Sequence, residues 1–307
     1  MWFSFALLLA AQADIQAQID APPLPPLPPW STEQLDPSGL TRFNLVTRAT
    51  FADGQGPFSS SSAWSTEIRA QVRARPGLVF SGALPLGITN GYESDARLVI
   101  GNLALGASFG GVVVETPELV LRVGGGLDAY LPTAPSSETT QAALLLFGAF
   151  RGYEVQLYLP QTLSFRGRLH VEASIGAVTL GGELGLVPAI SLPRGDQGLV
   201  MLFGGAARAG INLGVAEPYL EFSGATALGG IGDVAPPVQM TPGLRLNLLD
   251  AFQPAIFVSF NFVAPDALLF GLDLASALRP TSKSRDRENP TSVDILDVEE
   301  TERDFDF

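Results

Sequence analysis

The chain has 307 residues, 46% of them hydrophobic and only 16% charged, with a mean hydropathy of +0.26. Soluble domains carry about 25% charged residues, so this chain lacks the charge to cover an ordinary wetted surface. Its net charge of −13 argues against non-specific nucleic-acid binding, and the absence of cysteine excludes disulfides, thiol nucleophiles, zinc–thiolate sites and a lipidated N-terminal cysteine.

The opening residues, MWFSFALLLAAQADIQ, read as an export signal over residues 1–13. Trp2 to Ala11 forms an apolar core, and Ala11-Gln12-Ala13 is a small-x-small cleavage site ahead of Asp14. No Lys or Arg precedes that core, and the plain alternative is a buried N-terminal strand. Residues 14–39 include APPLPPLPPW (21–30), a stiff polyproline spacer ahead of the folded part. In a cytosolic chain the same run would read as a ligand for proline-recognising domains.

From residue 40 the two-residue period of a strand sets in. LTRFNLVTRATF (40–51) sets Arg42, Asn44 and Arg48 against Phe43, Leu45, Ala49 and Phe51. WSTEIRAQVRA (64–74) sets Ser65, Glu67, Arg69, Gln71 and Arg73 against Trp64, Ile68, Ala70 and Val72. LVFSGALPLG (78–87) and ARLVIGNLALGASF (96–109) alternate less cleanly but are bounded by turn residues. ELVLRVGGGLDAYL (118–131) puts Arg122, Asp128 and Tyr130 opposite Leu119, Leu121, Val123, Leu127 and Leu131. SFRGRLHVEAS (164–174) alternates strictly, with Arg166, Arg168, His170 and Glu172 on one face.

Five more stretches behave alike and LVMLFGGAARAGI is apolar on both faces except for Arg208, giving twelve predicted strands over about 40–51, 63–75, 78–87, 96–109, 118–131, 162–174, 178–190, 198–211, 215–226, 239–249, 254–263 and 267–278. No window reaches the ~18 consecutive apolar residues of a spanning helix, whereas these strands have the ~9–11 residues that cross a bilayer at a tilt. Short links at 76–77, 176–177, 212–214 and 250–253 alternate with longer polar ones after 40–51, 78–87, 118–131 and 215–226, although 110–117 is long for the first set and Ala264-Pro265-Asp266 short for the second. Outer-membrane barrels alternate in this way, with short periplasmic turns and long external loops, and parity then puts both termini in the periplasm. The predicted fold is all-β: a closed antiparallel transmembrane β-barrel of about twelve strands over 40–278. In it, oily residues meet lipid and polar ones fill the interior. A soluble barrel or sandwich with wet polar faces is the alternative, disfavoured by the many oily faces and few charges.

Two regions break the pattern. In 132–161, AALLLFGAF (142–150) reads as a loop with a helix in or over the pore; paired with YEVQLYL (153–159) as a hairpin it would raise the count to fourteen strands. Residues 279–307, RPTSKSRDRENPTSVDILDVEETERDFDF, hold too few apolar residues for a core and read as a disordered acidic tail, free or docked to a periplasmic partner.

GNLALGAS (101–108) and LRVGGGLDAYLPTA (121–134) together resemble outer-membrane barrels of the porin-like or transporter type. Those pair a Gly-Asn strand start with a Gly-rich strand ending in Leu-Pro-Thr. The resemblance spans about 40–278. It implies a barrel fold, an outer-membrane location and solute passage, and carries no catalytic set.

The chemistry-bearing residues fit that reading. An outer-membrane hydrolase or acyltransferase generally needs a histidine as base or acid, and His170, mid-strand between Arg168 and Glu172, is the only one. A metal site needs several converging ligands, so no metal or cofactor is expected. Arg122-Val123-Gly124-Gly125-Gly126 lies within a strand, so it is no phosphate loop; its glycines relieve crowding or allow curvature. The predicted interior set comprises Arg42, Arg48, Arg69, Arg73, Arg122, Arg166, Arg168, Arg208 and Arg245 against Glu67, Asp128, Glu172, Glu183, Glu217, Glu221 and Asp273. From these, Glu67, Arg69, Arg73, Arg122, Arg166, Arg168, His170 and Glu172 are expected to line the lumen, the arginines favouring anions weakly. The functional expectation is a narrow pore or transporter for a small solute, with lipid as surroundings and no enzymatic activity. The alternative is a plugged barrel whose acidic tail anchors a periplasmic partner.

Overall fold

Alternation of apolar and polar residues over 9 to 15 positions builds the strands of the computed structural model. The structure describes residues 41–52, 61–75, 77–90, 97–135, 147–148, 152–192, 199–228, 238–248, 252–262 and 267–278. The expected signal segment 1–13, the linker 14–39 and the tail 279–307 lie outside the described residues, as does most of 142–150.

The strands are β1 (Thr41–Ala52), β2 (Ser61–Arg75), β3 (Leu78–Asn90), β4 (Arg97–Ile100), β5 (Leu103–Glu115), β6 (Leu119–Leu131) and β7 (Thr162–Ile175). They continue with β8 (Val178–Ser191), β9 (Leu199–Ile211), β10 (Ala216–Leu228), β11 (Val238–Leu246), β12 (Phe252–Asn261) and β13 (Ala267–Leu278). Each pairs antiparallel with its neighbours, and β1 closes onto β13 from Thr41↔Leu278 to Ala52↔Ala267. Twelve strands form the ring. The short β4 is a thirteenth that pairs only with β3 among the described residues.

Two sequence expectations are corrected. The predicted strand 96–109 is interrupted at Gly101-Asn102: β3 advances three residues from Leu86 to Ala83 while its partner advances four, from Ile100 to Ala104. One extra residue is absorbed there, a bulge that re-aims the backbone. Beyond it, β5 runs to Glu115, so its link to β6 is only residues 116–118. Short connections thus follow β2, β5, β7, β9 and β11 at one end of the barrel, and at the other end only the β12–β13 link, residues 262–266, is as short. Gly77, Gly176 and Gly214 adopt positive φ in three of them. Second, YEVQLYL is no strand, which removes the fourteen-strand alternative. Gly152–Tyr158 instead makes two tight 3-10 turns joined at Glu154 (φ −119°, ψ 29°).

The barrel is inside-out. Leu169 is 68% exposed on the outer wall, Trp64 54% and Phe80 53%, whereas Glu67, Arg166 and Glu217 are each 0% exposed inside. Phe51 and Phe270 meet edge to face across the closing seam, with ring centroids 6.3 Å apart. An apolar wall around a charged interior is the arrangement hydrocarbon requires, since closed pairing leaves no backbone edge to satisfy.

Candidate functional site: a charged lumen crossed by a strut

Because strand residues alternate, Arg48, Arg69, Arg122, Arg166, Arg168, Arg208 and Arg245 of the interior set pair with acids on the same or a neighbouring strand. Three acids each hold two arginines. Glu67 accepts from Arg48 Nη1 at 3.0 Å and from Arg69 Nε at 2.9 Å. Asp128 accepts from Arg166 Nε at 3.1 Å and from Arg168 Nη2 at 3.0 Å. Glu217 accepts from Arg245 Nη1 at 2.9 Å and from Arg208. These triads sit on β1–β2, β6–β7 and β9–β11, spread around the ring.

Aromatic rings cover the guanidinium planes, a contact that adds to their retention in a dry site. Arg166 lies 5.5 Å from the Tyr130 ring centroid and 5.2 Å from that of Tyr153. Arg208 and Arg245 share Tyr219, at 5.3 and 5.9 Å, and Arg48 lies 5.9 Å over Phe257.

Across this interior runs Gly152–Tyr158, whose polar ends fasten to two of the triads. Glu154 Oε2 accepts from Arg69 Nη2 at 2.8 Å, and Tyr158 OH donates to Glu67 Oε1 at 2.8 Å. Tyr153 OH donates to Glu183 Oε1 at 2.6 Å, and that carboxylate lies 3.9 Å from Arg168 Nη1. Glu67 and Arg69 stand on β2 and Glu183 on β8, five strands apart in a ring of twelve. The segment is therefore a strut between nearly opposite walls. Phe147 joins it inside, its ring 5.8 Å from that of Tyr158.

The eight predicted lining residues fall on inward-facing strand positions, in five places rather than one. Glu67 and Arg69 meet at the foot of the strut. Arg166 and Arg168 share Asp128 a third of the way around. Arg122 and Glu172 pair at 2.7 Å nearer the short-turn end, with Ser174 at 3.4 Å. Arg73 stands apart at the foot of β2, and its backbone N donates to Thr41 Oγ1 at 3.1 Å. His170 is 2% exposed, opposite Gly124 and Glu183 in register. No group of three potential metal ligands occurs among the described residues.

Sequence reasoning missed Tyr153, Glu154 and Tyr158, which lie in the stretch without a clear period. It also missed the part played by Asn102 and Thr133, although Gly-Asn and Leu-Pro-Thr are the motifs of the resemblance. Asn102 is fully buried, and its amide Nδ2 donates to Gln156 O at 2.9 Å and to Leu159 O at 2.7 Å.

No family model matches the sequence, and no curated protein is similar to it in sequence. Among solved structures, an outer membrane channel from Pseudomonas putida F1 is similar with a TM-score of 0.55 at 10% identity, over 82% of this chain and 100% of that one. The NanC porin has a TM-score of 0.47 at 7% identity, covering 76% of this chain and 100% of its own. The KdgM porin, in complex with disordered oligogalacturonate, has 0.42 at 8% identity, covering 77% and 99%. In fold, the chain is similar to the Pseudomonas putida channel: a closed, twelve-stranded, inside-out antiparallel β-barrel.

Proposed function

We propose that the protein is an outer-membrane barrel that passes a small solute through a narrow, charged lumen, with both termini on the periplasmic side. The observation that carries this reading is the pairing of a lipid-compatible wall with an enclosed set of ionised groups. A buried charge is expensive and is retained in membranes where it faces a pathway or a partner. The similarity to a channel in shape, and the short turns gathered mostly at the end that holds Thr41 and Leu278, support the same reading.

Arg69, Arg73, Arg122, Arg166 and Arg168 supply the cationic part of the lining; Glu67, Glu172 and His170 the rest. Among the described residues, the nine arginines of the predicted interior set face its seven acids, and Glu154 of the strut adds an eighth. A balance of nine to eight gives at most a weak anion preference.

A second reading has its own support. The inward charges of the three triads are nearly without solvent contact, and a strut crosses the bore. Such a barrel also suits a plugged anchor whose acidic tail holds a periplasmic partner. Unitary currents in a planar bilayer separate the two. Conducting wild type whose reversal potential in a salt gradient moves toward cation preference in Arg166→Glu supports the pore. Silence from protein proven folded by its gel mobility overturns it in favour of the anchor.

A further inference from the structure

We infer that the bulge at Gly101-Asn102, with Thr133, is the clamp that holds the strut across the bore and so sets the calibre of the lumen. This inference rests on the pore reading, and it assigns positioning work to residues that line no charged cluster.

The geometry is specific. Between β4 and β5 the extra residue frees the backbone N–H of Asn102 from the sheet ladder, and it donates to Leu157 O of the strut at 2.7 Å. The Asn102 amide donates to Gln156 O and Leu159 O, and its Oδ1 accepts from Ala134 N at 3.1 Å. One side chain thus ties together both described ends of the stretch that leaves β6 and returns to β7. Its two amide hydrogens and its carbonyl oxygen are all used, a pattern only asparagine at this reach supplies.

Thr133 locks the bulge itself. Its Oγ1 donates to Gly101 O at 2.8 Å and accepts from Leu103 N at 2.9 Å, bridging the gap in the ladder. Gly101 N meanwhile donates to Pro85 O at 2.9 Å. A side chain at 101 would run into Leu157 O and the Pro85 ring, so the strut passes close only because residue 101 is glycine. Three glycines or small polar residues in the Gly-Asn and Leu-Pro-Thr motifs therefore meet at one place, and that place grips the strut.

The side chains of Tyr153, Glu154 and Tyr158 fasten the strut to β8 and β2, while the backbone carbonyls of Gln156 and Leu157, and of Leu159 just beyond it, are left to Asn102. Without the amide, Gln156 O and Leu159 O lose their donors inside the barrel, where bridging water is the remaining partner. Water entering there widens the path.

The test uses the full chain folded into phospholipid vesicles, with gel mobility before and after heating as the check on the barrel. Because the chain contains no cysteine, Gln156→Cys gives a single thiol whose labelling by a water-soluble maleimide reports release of the strut. The clamp predicts slow labelling of Gln156→Cys alone and labelling faster by roughly tenfold or more when Asn102→Ala is added, as expected for a local opening shifted toward the open state. It predicts a unitary conductance of Asn102→Ala raised roughly twofold or more in planar bilayers. Thr133→Val should follow Asn102→Ala in both readouts while Thr133→Ser, which keeps the hydroxyl, stays with wild type. If Asn102→Ala does not fold, the Thr133 pair decides alone. Folded variants with wild-type labelling and wild-type conductance overturn the clamp. Faster labelling in a protein that never conducts leaves the clamp standing and overturns the pore reading instead.

Discussion

Glu217→Gln is the sharpest probe of the ionic interior, because it removes one charge and almost no volume. Glu217 holds Arg245 at 2.9 Å and also Arg208, with all three side chains about 1% exposed. Unit charges about 4 Å apart at an effective dielectric near 20 attract by about 4 kcal/mol, so two lost attractions set a ceiling of about 8 kcal/mol. Three terms lower it. Gln still accepts hydrogen bonds, each worth about 1 kcal/mol. The carboxylate no longer has to be desolvated. Glu221, directly across from Arg208 in register, takes up part of the stranded charge. The expected loss is about 3–5 kcal/mol, the usual cost of stripping one partner from a buried ion pair. Urea titration in vesicles, followed by tryptophan fluorescence, reads it as a shifted midpoint at constant slope. Adding Arg245→Met removes one stranded cation and should recover at least about 1 kcal/mol relative to additivity. A loss under about 1 kcal/mol for Glu217→Gln, or strict additivity, would refute the claim that this acid neutralises two enclosed arginines.

Two further substitutions test the wall and the packing. Leu169→Arg places a guanidinium on the most lipid-facing position of β7, 68% exposed, and should cost about 2–4 kcal/mol in vesicles. Ala177→Arg in the exposed Gly176-Ala177 turn should fold like wild type, and equal folding yields for the two would sink the lipid-facing assignment. Gly271→Val puts branched carbon into the Phe257 ring and should destabilise by about 1–3 kcal/mol. Phe257→Ala in the same chain should relieve part of that loss, and a Gly271→Val midpoint equal to wild type would show that the ring has room.

The ring of strands was legible because period two leaves little freedom. Once Glu67 and Arg69 share a face, so do Ser65 and Arg73, and one residue of slip would turn the whole set toward lipid. Turn chemistry carried the rest: Pro76-Gly77 and Gly176-Ala177 mark reversals that the positive φ of Gly77 and Gly176 bears out. The strut was not legible. Residues 153–159 alternate as a strand would, yet Glu154 and Tyr158 are buried by partners on β2 and Gln156 is held by Asn102 between β4 and β5, partners that no local pattern announces. The bulge hid for the same reason. Residues 96–109 have the composition of one strand, and the extra residue at Asn102 appears only when β3 is laid beside it. For β5, Gly110-Gly111 read as a strand end, yet pairing with Gly124 and Val123 carries it on to Glu115.

The filling of the bore has a pattern of its own. Across β9 to β1, residues opposite one another alternate small and large: Gly210, Tyr219, Gly243, Phe257, Gly271, Arg48. Glycine on one strand makes room for the ring or guanidinium of the next, which is how a small barrel packs large groups into its interior. Packing this tight forbids the usual remedy for interior arginines, which is to keep them wet. It leaves direct pairing, and each bridging acid pairs two arginines and retains one positive charge in excess. At Glu67 that excess is met by Glu154, and beside Asp128 it is met by Glu183, the two carboxylates at the feet of the strut. The strut is thus held by surplus charge at Tyr153 and Glu154, and by Asn102 through the carbonyls of Gln156, Leu157 and Leu159. The same tight packing that stabilises the barrel therefore also fixes where the strut lies within it.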